Sequence, residues 1–237
     1  MQVPIPADQR HSSMRQYFLL AFALGFVLGA CGSTVRPGAV LHEFPANVRT
    51  EDRYAIYLHG RIVEDQGIRP TDPRFGVYEY EDILAALAEG GLQVISEVRQ
   101  PNTDALRYAH TLAGQIQGLI DAGVPPSQIT IVGVSKGGAI AILTASLLQN
   151  DQLQFVLLAS CEEELLNDRS VIIAGRVLSI YEANDEMGLS CQPLFARSSR
   201  TSIFKEIRLE TGLAHGQFYT PRQEWVAPTV EWALGEG

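Results

Sequence analysis

Short apolar segments alternate along the chain with longer segments in which apolar residues recur at helical spacing. Tyr54–Leu58 is a nearly continuous apolar run, which is typical of strands buried in parallel sheets. Residues 78–89 have helical spacing and precede Gly90 and Gly91, which favour the end of a helix. The same criteria predict strands at Ala39–Leu41, 92–98, 129–132, 155–158, 177–181 and 203–209, and helices at 137–149, at 222–234 and from a cap at Thr103 to Gly123.

This alternation indicates a single α/β domain. Strands separated by helices usually pair in parallel, because the helix returns the chain across the sheet before the next strand begins. A chain of 237 residues can bury a substantial core in one domain. We therefore expect residues 51–237 to form a mostly parallel sheet with helices on both faces and a functional site at the carboxyl ends of the strands.

The N-terminal segment differs from the rest of the chain. Residues 17–30 are apolar or Gly, and Arg10 and Arg15 precede them. This run is shorter than the roughly 20 residues that a bilayer-spanning helix requires. A basic flank followed by a short apolar run predicts a secretory signal peptide over residues 1–30, and Met14 is an alternative start for it.

The end of the apolar run, 28–31, reads Leu-Gly-Ala-Cys and resembles the lipobox of bacterial lipoproteins. The resemblance implies that Cys31 is acylated and becomes the first residue of the mature chain, which the lipid anchors to a membrane. It also implies a location in the bacterial cell envelope, on the periplasmic side of a membrane. Two alternatives stay open, namely an ordinary signal peptide cut near Ala30 and an uncleaved short anchor. Residues 31–50 are polar, contain Pro and Gly, and read as a linker.

Composition and charge narrow the function classes. Hydrophobic residues make up 46% and charged residues 19% of the chain, which is ordinary for a folded globular protein. The formal net charge of −9 disfavours an electrostatic grip on nucleic acid. The sequence shows neither a metal-binding cluster nor a phosphate-binding loop, so we expect no metal and no other cofactor.

The strongest chemical motif is G-x-S-x-G, formed by Gly133, Ser135 and Gly137 between a predicted strand and a predicted helix. A serine on a tight strand-to-helix turn has a strained backbone and an exposed hydroxyl, and the flanking glycines let strand and helix approach closely. The helix N-terminus also directs backbone N–H groups at developing negative charge. The alternative is a Gly-rich turn whose serine only caps the helix.

This segment resembles the nucleophile elbow of the α/β-hydrolase superfamily, and the resemblance extends from about residue 54 to residue 232. In that family an acid and then a histidine follow the serine along the chain. The resemblance implies Asp185 as the acid, in the loop after the strand at 177–181, with Glu182 and Glu186 as rivals. Solvated loop acids are the alternative for all three residues.

The same resemblance implies His215 as the base, because it follows the last predicted strand and precedes the closing helix. The alternative for His215 is a surface loop histidine. His59 and Gly60 follow the first clear strand, where the family places its oxyanion hole. The implied donors are the backbone N–H groups of Arg61 and Lys136, with Gly60 allowing the chain to bend and His59 structural.

The sequence also bears on how the site is covered and on the state of two cysteines. Only 18 residues separate Leu158 from Val177, so we expect no large cap domain over the site. Residues 61–76 could cover the pocket and give it a polar rim, although a solvated loop is the default expectation for their charges, which are Glu64, Asp65, Arg69, Asp72 and Arg74. If Cys31 carries lipid, two cysteines remain, Cys161 and Cys191, which is an even number in an oxidising compartment. A disulfide between them and two buried free thiols are both consistent with this.

The function implied is that of a serine hydrolase acting through an acyl-enzyme on carboxylic esters of small or medium acyl groups. The alternative is a non-catalytic envelope lipoprotein that uses the fold to bind a ligand. The predicted partners are therefore a small ester-like molecule and, through the lipid, a membrane. The sequence leaves the oligomeric state open.

Overall fold

The computed structural model describes residues 1, 2, 4 and 37–237. Residues 17–30 and Cys31 lie outside the described residues, so the signal peptide and the lipid anchor stay predictions. Contacts divide the chain into two units, Met1–Thr34 and Val35–Gly237, and the described helices and strands all belong to the second. None of these helices has both the length and the apolar character that crossing a bilayer requires.

Within the described residues, seven strands form one parallel sheet and two short strands form an antiparallel hairpin. The strands are β1 Ala39–Leu41, β2 Tyr54–Leu58, β3 Thr71–Asp72, β4 Gly76–Val77, β5 Gln93–Ile95, β6 Ile129–Val134, β7 Gln154–Leu158, β8 Ala174–Glu182 and β9 Arg200–Leu209. Their order in the large sheet is β1-β5-β2-β6-β7-β8-β9, and every neighbouring pair is parallel. The predicted parallel sheet is therefore confirmed, although the strand expected at 92–98 is shorter.

Helices occupy most of the connections between these strands. They are α1 Arg61–Gln66, α2 Tyr80–Glu89, α3 Ala105–Asp121, α4 Lys136–Leu148, α5 Glu163–Asn167, α6 Gln192–Ala196 and α7 Gln223–Leu234, with 3₁₀ helices at Pro126–Gln128 and Ala214–Phe218. The four helices that were predicted are present. The helices α1, α5 and α6 were not predicted, because five or six residues are too few to show a 3.6-residue period.

The sheet has a hydrophobic core on each face. Along β2, Tyr54, Ile56 and Leu58 enter one core, and Ala55 and Tyr57 enter the other. The first core contains the buried faces of α3 and α4, and the second contains those of α2 and α7. Alternate side chains of a strand point to opposite faces, so a strand covered on both sides has to be apolar throughout.

The strand order places a crevice at the centre of the sheet. The chain passes from β2 to β5 on one side, and then to β6 on the other side of β2. The loops after β2 and β6 therefore leave the sheet in opposite directions, which opens the space where ligands bind in α/β folds. His59 directly follows β2, and Ser135 directly follows β6.

Two local predictions need correction, and one is confirmed. Asp104 rather than Thr103 caps α3, because its carboxylate accepts the N–H of Arg107, whereas the Thr103 hydroxyl donates to the carbonyl of Gln100. Residues 61–76 form α1 and most of the β3–β4 hairpin instead of a solvated loop, and Glu64 is only 4% exposed. The described connection between β7 and β8 contains the short helix α5 and no large cap, as predicted.

Candidate active site

Ser135 lies at the junction of β6 and α4, in a backbone conformation that L-residues rarely adopt. Its φ is 53° and its ψ is −120°. Such a conformation costs roughly 1–3 kcal/mol and persists only where the surroundings enforce it. Here the N–H of Ser135 donates to the Leu158 carbonyl at 3.0 Å, and its own carbonyl accepts the N–H of Ala139 at 3.0 Å. The turn therefore holds the serine at the carboxyl end of the sheet.

Glycines make this sharp turn possible by close approach of the backbone. A Cβ on Gly133 would lie 2.5 Å from the Gly137 carbonyl oxygen, and one on Gly137 would lie 1.9 Å from the Leu58 oxygen. Gly138, which the motif does not include, is also confined, since its Cβ would lie 1.7 Å from the Ser160 hydroxyl. The start of α4 is thus pressed against the ends of β2 and β7.

Asp185 and His215 form a hydrogen-bonded pair next to this turn. Asp185 follows β8, His215 lies in the 3₁₀ helix after β9, and His215 Nδ1 is 2.7 Å from Asp185 Oδ2. Burial raises the pKa of Asp185, but the hydrogen bond and charge of His215 and two backbone N–H groups outweigh it and leave the pKa lowered. With Asp185 ionised, Nδ1 carries the proton and Nε2 presents a lone pair.

The two rival acids are placed differently. The carboxylate of Glu182 is buried and accepts the backbone N–H groups of Asn184, Thr211 and Gly212 at 2.7–3.0 Å. It joins the loop after β8 to the loop after β9 and does not contact His215. Glu186 is exposed at the cavity, so Asp185 is the member of this acidic segment that binds the imidazole.

Ser135 and His215 line the same cavity, which has a volume of about 740 Å³. In the described part of the chain, neither the Ser135 hydroxyl nor His215 Nε2 has a hydrogen-bond partner. A free hydroxyl and a free imidazole nitrogen on one cavity are what a nucleophile and its base require. In unliganded enzymes the distance between a nucleophile and its base is often long, and it shortens only when substrate binds.

Arg61 and Lys136, whose backbone N–H groups are the implied donors of an oxyanion hole, also line this cavity. Arg61 begins α1 and Lys136 begins α4, and N–H groups at helix starts lack partners within the helix. Gly60 lies beside the elbow, with its Cβ position 4.0 Å from the Ser135 Cβ. One expectation is wrong, however. Gly60 has φ −68° and ψ 166°, which any residue adopts, so the chain does not need a glycine to bend here.

A buried polar cluster beside the elbow was not predicted. Arg99, which follows β5, is 3% exposed, binds the Glu64 carboxylate and donates its backbone N–H to His59 Nε2 at 3.0 Å. Burial, followed by the charge of Arg99, lowers the pKa of His59 to about 3, so its imidazole is neutral and is not a second base. The available clue was that Arg99 directly follows the strand predicted at 92–98.

Aromatic side chains form one wall of the cavity. Phe75, in the turn of the β3–β4 hairpin, packs against His215 and Tyr219, with ring centroids 6.1 and 5.7 Å apart. Tyr219 in turn packs on Tyr78 at 5.0 Å. Burial raises the pKa of Tyr219 to about 12, so its hydroxyl stays protonated at neutral pH. The hairpin therefore shields the imidazole from solvent on this side.

A disulfide joins Cys161, just after β7, to Cys191, at the start of α6, with their Cα atoms 5.4 Å apart. Between the two lies the loop that carries Asp185, and the Leu189 N–H donates to the Cys161 carbonyl at 2.7 Å. The bond therefore closes this loop against the end of β7. In the part of the chain that the structure describes, no group of three or more His, Cys, Asp or Glu side chains could bind a metal ion.

Comparison with known proteins detects the fold but no related sequence. No model of a known protein family matches the chain, and no curated protein does. Among solved structures, an esterase from the hyperthermophilic archaeon Pyrobaculum calidifontis is 18% identical, with a TM-score of 0.52 over 81% of this chain and 78% of that protein. A mutant of esterase E40 gives 14% identity and a TM-score of 0.57, also over 81% and 78%.

SOBER1 of Arabidopsis thaliana is similar at 15% identity, with a TM-score of 0.52 over 77% of this chain and 99% of that protein. These likenesses cover the sheet and its helices at identities too low to carry over an activity. Their TM-scores show the same fold as the parallel sheet and helices described above. The chain therefore has the α/β-hydrolase fold, with a parallel central sheet, helices on both faces and no large cap among the residues described.

Proposed function

We propose that the chain is a serine hydrolase that cleaves carboxylic esters of small or medium acyl groups. The observation that carries the proposal is the hydrogen bond between Asp185 and His215, made on the cavity that the strained Ser135 also lines. A binding module has no need of this combination. Structural neighbours described as esterases support the same chemistry.

The first half-reaction transfers the acyl group to the enzyme. His215 Nε2 takes the proton of the Ser135 hydroxyl while the oxygen attacks the ester carbonyl carbon, and Asp185 accepts the Nδ1 hydrogen bond throughout. The N–H groups of Arg61 and Lys136 bind the oxyanion. The tetrahedral intermediate then breaks its bond to the alkoxy oxygen, which leaves as an alcohol after taking the proton from Nε2.

The second half-reaction restores the enzyme. Water gives a proton to His215 Nε2 and attacks the acyl carbonyl, and the same N–H groups bind the new oxyanion. Collapse of this intermediate releases the carboxylic acid and returns the proton to Ser135. Because the pKa of Asp185 is lowered, its carboxylate stays ionised at neutral pH and supports the imidazolium in both steps.

The cavity supports a substrate of modest size. Its volume of about 740 Å³ lies within the range of roughly 300–1,000 Å³ that is usual for small-molecule sites. Among the described residues, five acids and three cations line it, so negative charge predominates and a neutral ester suits the cavity better than an anionic one; they are Asp72, Glu162, Glu163, Glu164 and Glu186, and Arg61, Arg74 and Lys136. We expect butyrate and octanoate esters of p-nitrophenol to react faster than the palmitate ester.

A fluorophosphonate probe tests the proposal, because it reacts covalently with activated serines. Wild-type protein should be labelled, Ser135→Ala should not, and mass spectrometry should place the adduct on residue 135. Ser160→Ala is the matched control, because Ser160 lines the same cavity but donates its hydroxyl to the carbonyls of Gly133 and Leu158. Absence of labelling in wild type would favour the binding module instead.

We also propose that the mature chain is anchored by lipid on Cys31 in a bacterial cell envelope. The support is the lipobox-like sequence before Cys31 and the pairing of Cys161 with Cys191, which leaves Cys31 as the remaining cysteine of the chain. Expression with radiolabelled palmitate should label wild type and place it in the membrane fraction. If Cys31→Ala keeps both the palmitate label and the membrane location, the lipid anchor is refuted.

A further inference from the structure

Three charged side chains meet beside the candidate active site, away from solvent. The Glu64 carboxylate accepts Arg99 Nε with one oxygen, at 2.8 Å, and Lys136 Nζ with the other. The side chains of Glu64 and Arg99 are fully buried, and that of Lys136 is 21% exposed. Burying ions is unfavourable, and a hydrophobic replacement often serves stability as well or better. Stability alone therefore does not explain this cluster.

The cluster binds the chain on both sides of the Arg61 N–H group, at residues 59 and 64. Upstream of it, the Arg99 guanidinium donates to the His59 carbonyl, and the Arg99 backbone N–H donates to the His59 ring. Downstream, Glu64 holds α1 by its carboxylate. This helix has six residues, of which Val63 is fully buried and Ile62 partly buried in the core, so two apolar side chains provide its hydrophobic packing. Its first N–H group takes its direction from these polar contacts.

The same carboxylate holds the second donor. Lys136 supplies its backbone N–H at the start of α4 and reaches back with its ammonium to Glu64. One carboxylate thus connects α1 to the residue that follows Ser135. The two N–H groups come from segments 75 residues apart in sequence, and this bridge links them directly through side chains.

We infer that Glu64 is a positioning residue for the oxyanion hole: by binding Arg99 and Lys136 together, it sets the separation and direction of the Arg61 and Lys136 N–H groups. The inference rests on the proposed serine hydrolase function. Donors of this kind act only when they are aimed at the place where the oxyanion forms, and small misplacements are costly. The effect of losing Glu64 should therefore appear in the transition state and not in substrate binding.

The test compares Glu64→Gln with Asp65→Asn. Both substitutions remove one carboxylate from α1, but the side chain of Asp65 is 43% exposed and, within the described part of the chain, pairs only with the side chain of Arg61. We expect Glu64→Gln to lower kcat about 10- to 100-fold with KM changed less than about twofold. The affinity for an alkylboronic acid, which forms a tetrahedral adduct on the serine, should fall in parallel with kcat/KM. Asp65→Asn should stay within about twofold of wild type in all three quantities.

Lys136→Met provides a second variant in case Glu64→Gln does not fold, because it leaves the Glu64–Arg99 pair intact. It should lower kcat several-fold, and Lys136→Arg, which restores a cation, should recover part of the loss. A kcat within about twofold of wild type in folded Glu64→Gln, or in Lys136→Met, overturns the inference. So does a fall in kcat without a fall in boronate affinity, which would point to a general loss of structure.

Wild-type protein separates failure of this inference from failure of the proposed function. If wild type hydrolyses esters and reacts with fluorophosphonate at Ser135, the proposed function stands and the variants alone decide the role of Glu64. If wild type does neither, the proposed function fails and the oxyanion-hole role of Glu64 fails with it.

Discussion

Mild acid should destabilise the folded chain through one buried histidine, His59. The ring is inaccessible to solvent, its Nε2 accepts the backbone N–H of Arg99, and its Nδ1 donates to the Gly60 carbonyl at 2.9 Å. A proton on Nε2 would remove that acceptor and place a second cation beside the Arg99 guanidinium. Burial and this charge lower the pKa of His59 from 6.5 to about 3.

The size of the effect follows from the difference between the two pKa values. Between pH 6.5 and pH 3 the unfolded chain binds a proton at residue 59 that the folded chain does not bind, so stability falls as the pH falls. Each pH step well inside this window costs about 1.4 kcal/mol. From pH 7 to pH 5, the free energy of unfolding should therefore decrease by about 2 kcal/mol through His59 alone.

Urea denaturation at pH 7, 6 and 5 measures this change, with the fluorescence of the buried Trp225 and Trp232 as the probe. His59→Gln keeps an acceptor for the Arg99 N–H but has no titrating ring. Between pH 7 and pH 5, the free energy of unfolding of this variant should decrease by about 2 kcal/mol less than that of wild type. His110→Gln, on an exposed position of α3, is the control for loss of an imidazole. Identical pH dependence in wild type and His59→Gln would refute the argument.

Three further outcomes follow from the site and its supports. Asp185→Asn should lower kcat roughly 1,000- to 10,000-fold in steady-state ester hydrolysis, because the imidazole loses its ionic partner, and a change under tenfold would contradict this role. Glu182→Gln should lower the free energy of unfolding by about 1–3 kcal/mol in urea, since three backbone N–H groups lose a charged acceptor. Replacing Cys161 and Cys191 by Ala should cost about 3.5 kcal/mol in the same assay, as expected for a link across 30 residues, and unchanged stability would show that the link is unimportant.

The choice among the acids after β8 shows where sequence reasoning reaches its limit. Glu182, Asp185 and Glu186 lie within five positions, and any of them satisfies the order of serine, acid and histidine. In the structure, Glu182 binds the backbone of the loop after β9, and Glu186 is exposed. Asp185 alone among the three binds the ring of His215. That outcome depends on how two distant loops meet, which local spacing does not encode.

The burial of Glu64 was missed for a similar reason, although Asp65, Arg69 and Arg74 are exposed as expected. A carboxylate in a polar segment is solvated by default, and Glu64 was expected to follow that rule. Its counter-ions, Arg99 and Lys136, lie 35 and 72 residues further along the chain. A buried charge is stable only beside such partners, so its burial is visible only once the strands have assembled.

The sequence by itself determined the parallel sheet, its flanking helices and the strained turn at Ser135. These features depend on the continuous apolar runs of the strands, on the helical spacing of apolar residues between them, and on glycines that no other residue can replace at close approach. Only the tertiary structure decided which carboxylate meets His215, that Glu64 and Arg99 are buried, and that Arg61 and Lys136 line the same cavity as Ser135. Contacts of this kind join residues far apart in the chain, and their geometry is fixed by packing and not by local preference.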